Sequence, residues 1–196
     1  VHGLAEAMHR LGHEVVVFTR AHPDCAADEV VGGVRVLRAD TSLPWLPDDF
    51  LTGTTASSNH HLVQLATQLG DWRPDVVHAH DWLVAWASDT LRALLEVPMV
   101  ATVHATERGR HGGHVPVGTP AAVNSVEWWL TYQAWRVIAC SRFMMREVID
   151  GFELPSDKVR LIPNGIDVSR WGAAESAPRE RLVVAWGRIQ YEKGFQ

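Results

Sequence analysis

Polar side chains follow four short apolar runs of the sequence, and each run is a predicted β-strand. One run ends in the segment 78–81 (His-Ala-His-Asp), a second in His104, a third in 140–141 and a fourth in 163–165 (Pro-Asn-Gly). Ligands of open parallel sheets bind beyond the carboxyl ends of the strands, so these groups are predicted to converge on one rim. Imidazole and carboxylate groups placed there can exchange protons and hydrogen-bond polar ligands.

The segment 78–81 admits two interpretations. His78 and His80 face the same side of a strand with Asp81 adjacent, which is compatible with a metal site. The sequence offers no partner ligands with matched spacing elsewhere, so no metal is predicted. In the alternative, His78 is a hydrogen-bonded structural residue and Asp81 caps a helix starting at Trp82. Capping and substrate binding by Asp81 are compatible roles.

The segment after His104, with the sequence ATERGRHGGH, is rich in glycine and charge. This composition is typical of a mobile loop that closes over a polar ligand. His104 is predicted to bond a hydroxyl group, and Glu107, Arg108 and Arg110 to orient a polar acceptor. A hydrated surface loop is the alternative, and it stays equally open for Arg108 and His114.

Near the end of the chain, the segment GRIQYEKG follows another predicted strand. Arg188 offers a planar fork suited to bidentate phosphate contact, and Lys193 adds a point charge. Gly187 and Gly194 allow the backbone to turn and to approach a ligand. A diphosphate-binding loop is therefore predicted, with a solvated turn as the alternative.

Hydrophobic periodicity and turn residues predict alternating strands and helices. We expect Thr119 to cap one helix and Ser141 another. The predicted helices are 1–11, 50–69, 82–95, 119–135 and 141–152, and the predicted strands are 13–20, 32–40, 75–80, 99–104, 136–141, one just before 163–165, and one at 181–186. Strand–helix–strand units imply an α/β fold with a Rossmann-like, mostly parallel sheet and flanking helices. The Pro-containing polar stretch 172–180 is predicted to be a linker, which divides the chain into a domain at 1–171 and the start of a second at 181–196.

Composition excludes several partners. The formal net charge is −5 and no lysine or arginine run occurs, so neither nucleic acid nor an anionic membrane is expected as a partner. No apolar run is long enough to span a bilayer. Cys25 and Cys140 are predicted to be reduced thiols of a cytoplasmic protein. Val1 is not a methionine, and a helical pattern starts at once, so the natural N-terminus is predicted to lie upstream.

Four segments occur in a characteristic order: LAEAMHRLGHEVVVFT, DVVHAHDW, VIACSRFMMREV with VRLIPNGID, and VVAWGRIQYEKG. Together they resemble the family-4 glycosyltransferases, which are retaining enzymes of the GT-B fold. The loop HATERGRHGG is most similar to the branch of bacterial glycogen synthases, including actinobacterial α-glucan and maltosyl-phosphate synthases. The resemblance covers nearly the whole chain.

The resemblance implies two Rossmann-like domains that face a cleft. It assigns the donor diphosphate to Arg188 and Lys193, and it places His104 beside the transferred sugar, where it bonds a hydroxyl and helps to polarise the reacting centre. Asp81 corresponds to an acidic residue near the acceptor or the sugar. The turn at Asn164 and Gly165 corresponds to the interdomain hinge. The family is typically metal-independent, so the expected ligands are a nucleotide-sugar donor and a carbohydrate acceptor, with no cofactor.

Against this family pattern, the chain departs in three places. The family's first strand and its glycine-rich loop would precede Val1, and the paired glutamates and the nucleoside pocket belong to the C-terminal domain. We therefore expect an enzyme fragment that is inactive alone. The expected parent moves a hexosyl group, with glucose from ADP- or UDP-glucose as the favoured donor, to an α-glucan or a maltose-1-phosphate-like acceptor. The alternatives are a nucleotide-sugar epimerase of the same fold and a non-catalytic acceptor-binding module.

Overall fold

The computed structural model describes residues 1–40 and 54–168, together with positions 181, 183 and 185–187. The helices in these residues are α1 (His2–Arg10), α2 (Ser57–Gln64), α3 (Ala85–Leu95), α4 (Glu107–Arg110), α5 (Thr119–Gln133) and α6 (Arg142–Phe152). The strands are β1 (Val16–Arg20), β2 (Asp28–Val31), β3 (Val34–Ala39), β4 (Val77–His80), β5 (Met99–Val103), β6 (Arg136–Ala139) and β7 (Val159–Leu161). Short 3-10 turns lie at Leu65–Leu69, Trp82–Val84 and Ser156–Lys158.

Four parallel strands form the larger sheet, in the order β4-β5-β6-β7. Its centre is fully buried, and Ala79, Ala101 and Val137 are 0 % exposed because helices α3, α5 and α6 pack their apolar sides on it. Each strand reaches the next through a helix, which is the connection that parallel neighbours need. The prediction of an α/β fold with a parallel sheet is confirmed. The carboxyl ends of β4, β5 and β6 therefore meet at one edge.

The smaller sheet has three strands, in the order β1-β3-β2. Strands β1 and β3 are parallel, whereas β2 runs antiparallel to β3. A tight turn at Gly32 and Gly33 joins β2 to β3, and both glycines have positive φ (58° and 83°), which suits a two-residue hairpin. The sequence prediction missed β2, because its half-exposed residues carry little apolar signal. The sequence prediction is therefore correct for the parallel strands β1 and β3 and lacks the antiparallel edge strand β2.

Helix ends differ from the predictions in detail. Ser141 caps α6 as predicted, and its hydroxyl accepts a hydrogen bond from the Met144 backbone N–H at 3.0 Å. Thr119 is wrong as a cap: it is the first residue of α5, and Gly118 occupies the cap position without a side chain to contribute. The helix predicted over 50–69 is described from residue 54, with α2 followed directly by a 3-10 turn.

Several predictions fall outside the described residues. Arg188 and Lys193, the linker at 172–180 and positions 182 and 184 are among them. The strand predicted at 181–186 is not seen at the positions that are described, since 181, 183, 185 and 186 have irregular backbone. The domain boundaries and the strand expected upstream of Val1 stay predictions. Within 1–40 and 54–168, no helix is both long and apolar enough to cross a membrane.

Candidate active site

Three imidazole rings form a stack where β4 and β5 end, and we call His78, His80 and His104 the histidine cluster. The rings of His78 and His80 are 4.3 Å apart between centroids, and those of His80 and His104 are 5.4 Å apart. His80 Nδ1 lies 3.1 Å from His104 Nε2, within hydrogen-bonding distance. His78 Nε2 is bonded to the Thr102 hydroxyl at 2.8 Å. The structure thus brings together residues of two neighbouring strands.

Asp81 fixes the backbone of His104. Its Oδ1 accepts a hydrogen bond from the His104 N–H at 2.7 Å, and the Asp81 N–H donates to the Thr102 carbonyl at 2.9 Å. Asp81 adopts a left-handed backbone conformation (φ 62°), which turns the chain out of β4. The prediction that Asp81 caps the following helix is wrong: the side chain makes no capping bond and reaches across to β5 instead.

Burial affects the charge of two rings of the cluster, His78 and His80. It lowers the pKa of His80 to about 3, with the neighbouring His78 and His104 rings acting in the same direction. Burial also lowers the pKa of His78, again with help from His104. Both rings are therefore neutral near pH 7. A neutral imidazole offers one donor and one acceptor nitrogen, so each can relay hydrogen bonds along the rim.

Cys140, at the carboxyl end of β6, completes the surroundings of His104. Its Sγ lies 3.7 Å from His104 Nδ1. Burial, followed by the nearby Asp81 carboxylate, raises the pKa of the Cys140 thiol, so the thiol keeps its proton. The arrangement that satisfies all three groups has the thiol donating to Nδ1 and His104 Nε2–H donating to His80. A sugar hydroxyl that binds the His104 ring must replace one of these two partners.

The loop after His104 contains a short helix, α4, that carries the predicted acceptor residues. Glu107 and Arg110 form an ion pair with Nε and Oε1 3.4 Å apart. His111 Nδ1 lies 2.9 Å from the Glu107 carbonyl oxygen. The Arg108 guanidinium donates back to the Gly113 carbonyl at 3.2 Å. The loop side chains are thus bonded mainly to one another.

Two carboxyl groups from neighbouring helices hold this loop, and we call Glu127 and Glu147 the carboxyl clamp. Glu127 of α5 accepts the Glu107 backbone N–H with both oxygens, at 3.0 and 3.1 Å. The Thr106 hydroxyl donates to Glu147 of α6 and accepts the Gly109 N–H at 2.9 Å, which makes Thr106 the cap of α4. A Cβ at Gly109 would lie 2.8 Å from Glu147 Oε1, so a side chain there requires the end of the Glu147 side chain to shift.

The clamp residues are protonated more readily than ordinary glutamates. Burial raises the pKa of Glu127 to about 8; the Glu107 and Asp81 carboxylates add to the rise, whereas the Glu107 N–H and Arg110 oppose it. Glu127 is only 3 % exposed. Burial also raises the pKa of Glu147, against the effect of the Gly109 N–H and Arg108. Near pH 7 the Glu127 carboxyl is therefore mostly neutral.

The remaining predicted residues lie apart from this rim cluster or outside the described residues. Asn164 and Gly165 are exposed and follow the end of β7 in irregular backbone. Arg188 and Lys193 lie outside the described residues. In the part of the chain that is described, no group of three or more His, Cys, Asp or Glu residues is arranged to hold a metal ion. The absence of a metal or cofactor requirement stays a prediction.

Sequence reasoning missed the two residues of the carboxyl clamp; it placed His80 and Cys140 on the rim but did not pair them with His104. Glu127 lies in the apolar stretch VEWWL, and an isolated charge there was compatible with a solvated helix face. The available signal was that this charge falls four residues from Val123, a position on the buried side of the same helix. His80 and Cys140 both end strands, as His104 does, and that shared placement was the signal for them.

The sequence profile of Glycosyltransferase Family 4 matches residues 1–170, and the chain belongs to this family. It is 39 % identical to a glycogen synthase of Mycobacterium tuberculosis, over 99 % of this chain and 50 % of that protein. It is 32 % identical to an alpha-maltose-1-phosphate synthase of Mycolicibacterium smegmatis, over 76 % of this chain and 42 % of that protein. The chain thus spans about half the length of the curated relatives that it matches.

A solved structure shows the same fold. Sucrose-phosphate synthase from Thermosynechococcus elongatus superposes with a TM-score of 0.67 at 20 % identity, over 85 % of this chain and 42 % of that one. The described residues therefore have the architecture of one half of a GT-B glycosyltransferase. The fold prediction and the predicted family are both confirmed.

Proposed function

We propose that the chain is the acceptor-side part of a retaining glycosyltransferase that transfers a hexosyl group from a nucleotide sugar to an α-glucan or a related sugar. The observation that carries the proposal is the placement of Asp81 and His104 on one rim, joined by a hydrogen bond, in a chain that is 39 % identical to a glycogen synthase. Glucose is the favoured sugar, with ADP or UDP as the nucleotide, because the relatives are named for glucan and maltose-1-phosphate synthesis.

The proposed chemistry breaks the bond between the anomeric carbon of the donor and its phosphate oxygen. The bonding electrons leave with the nucleoside diphosphate, and the acceptor hydroxyl forms the new glycosidic bond as its proton passes to the departing diphosphate oxygen. His104 bonds a hydroxyl of the transferred sugar and orients it, while Asp81 holds the His104 backbone and faces the sugar side of the rim. Electrostatic stabilisation of the leaving diphosphate is assigned to Arg188 and Lys193.

The neutral state of His80, whose ring is the hydrogen-bond partner of the His104 ring, supports this assignment. A sugar hydroxyl needs a partner that can donate or accept, and a neutral imidazole can do either. The turn at Asn164 and Gly165 is proposed to connect this half to the donor-binding half.

The direct test is to incubate the full-length parent protein with ADP-glucose or UDP-glucose and maltoheptaose or maltose 1-phosphate. We expect a lengthened α-linked product together with stoichiometric nucleoside diphosphate. Recovery of an epimerised donor sugar with unchanged acceptor would contradict transfer. The 196-residue chain is the matched control, and it is expected to release no nucleoside diphosphate because half of the cleft is supplied by the donor-binding domain.

A further inference from the structure

We propose that Glu127 is a positioning residue for the loop after His104: its buried carboxyl group fixes the start of α4 and thereby sets where Glu107 and Arg110 lie. This inference rests on the proposed function only in naming the loop as part of the acceptor site. The contacts that carry it are internal to the described residues.

The first step is the bond between two helices. Glu127 projects from the middle of α5, and both of its oxygens are close to one backbone N–H, that of Glu107. Glu107 is the first residue of α4, and its N–H has no intrahelical partner because it belongs to the first turn. Without Glu127, the Glu107 N–H would be a buried donor with no acceptor, which is destabilising. The Glu127 carboxyl group therefore stabilises the start of α4.

The second step follows the loop outwards from that bond. The Glu107 backbone, once fixed, anchors the rest of the loop through its carbonyl oxygen, which binds both the N–H and the Nδ1 of His111. Its side chain pairs with Arg110. The side chains of Glu107, Arg110 and His111 are therefore oriented by one backbone position. The five residues 107–111 contain all of these contacts, so a shift at Glu107 moves the whole group.

The third step concerns charge. The groups that face the Glu127 carboxyl are Glu107 and Arg110 from α4 and Asp81 from the end of β4. Two of these three groups are carboxylates, and the Glu127 side chain itself is buried. Ionisation of Glu127 in this arrangement is consequently unfavourable, and it is relieved when α4 moves away and water reaches the carboxylate. The hold of Glu127 on the loop therefore weakens as the pH rises from about 4.5 to about 8, and it is constant above that range.

The experiment is amide hydrogen exchange of the peptide containing residues 107–113, in wild-type chain and in Glu127→Gln. Glutamine keeps an oxygen that accepts the Glu107 N–H and cannot ionise. Because the peptide sequence is the same in both proteins, the ratio of their exchange rates at one pH cancels the intrinsic rate. We expect exchange in wild type to become faster relative to Glu127→Gln as the pH rises from about 5 to about 8, by at least about tenfold, and the ratio to be constant above about pH 8.

Two controls make the result specific. The α3 peptide (Ala85–Leu95) reports unfolding of the whole domain and should exchange more slowly than the loop in both proteins. Glu153→Gln changes an exposed glutamate at the end of α6 and should behave as wild type. Glu127→Ala removes the acceptor and should expose the loop at every pH; should it fail to fold, the comparison of wild type with Glu127→Gln still carries the test.

The positioning role would be overturned if the ratio of loop exchange rates in wild type and Glu127→Gln did not change with pH. It would also be overturned if the loop and the α3 peptide exchanged at equal rates at high pH. The role in acceptor binding is tested in the full-length parent, where the wild-type KM for acceptor should rise between about pH 5 and about pH 8 while that of Glu127→Gln stays level. A KM that follows the same profile in both proteins would contradict it. If the parent transfers no sugar at all, the proposed function fails while the exchange result stands by itself.

Discussion

The histidine cluster and the carboxyl clamp lie near the same rim and use the same physical effect with opposite results. Burial penalises the charged form of any side chain. In the cluster it leaves His78 and His80 without a proton at neutral pH, whereas in the clamp it leaves Glu127 with one. The bases are therefore free to relay hydrogen bonds beside the proposed sugar site, and the acid is free to hold a backbone amide without adding negative charge.

The difference between the two groups separates ligand-binding residues of the rim from residues that support its structure. His104 is exposed and has replaceable ring partners, as a ligand-binding group requires. Glu127 is buried and bonds only backbone among the described contacts, as a structural support requires. Substitutions in the cluster should therefore act mainly on catalysis, and substitutions in the clamp mainly on the loop and on stability.

The largest expected effect comes from the cluster. His104→Ala in the full-length parent removes the group assigned to the transferred sugar, so kcat should fall roughly 10²–10⁴-fold with little change in Tm. Initial rates of nucleoside diphosphate release and thermal unfolding measure the two quantities. His114→Ala, an exposed histidine of the same loop, is the control and should retain activity. Equal losses in both variants would remove His104 from the reacting centre.

The second effect belongs to the clamp and appears as a pH dependence of stability. The pKa of Glu127 is about 8 in the fold and near 4.5 when unfolded, so the folded state keeps a proton that the unfolded state releases. Wild type should accordingly lose stability relative to Glu127→Gln as the pH rises from about 4.5 to about 8, by at most about 5 kcal/mol.

Urea unfolding of both chains across this pH range measures that difference. Above about pH 8 it should become constant, because both states are then ionised. A difference that grows with falling pH instead would mean that Glu127 is stabilised as a carboxylate.

The smallest expected effect comes from His80, whose ring contacts the His104 ring. Here stability should fall as the pH falls, opposite to the direction for Glu127. The pKa of His80 is about 3 in the fold and near 6.5 when unfolded, so the unfolded state takes up a proton first. Wild type should lose stability relative to His80→Asn as the pH falls from about 6.5 towards 3, by about 1–3 kcal/mol since the ring is only partly buried. Thermal unfolding at several pH values tests this, and a flat difference would indicate that the ring stays well solvated.

Strand ends and caps were the parts of the site that could be predicted from sequence. The apolar runs before His104 and Asp81 placed both residues on one edge, and Ser141 capped its helix as its type and position indicate. The actual partner of Asp81 depends on a neighbouring strand 23 residues away, which local pattern does not encode. Glu127 could not be assigned for a similar reason, because the amide that it binds belongs to a different helix.

The contact between Gly109 and Glu147 links two segments that are far apart in the sequence. A side chain at 109 would displace the carboxyl group that the Thr106 hydroxyl binds. A shorter acid at 147 is therefore the simplest accommodation of a larger residue at 109. Variation in the loop is thereby constrained by a helix that begins more than thirty residues later.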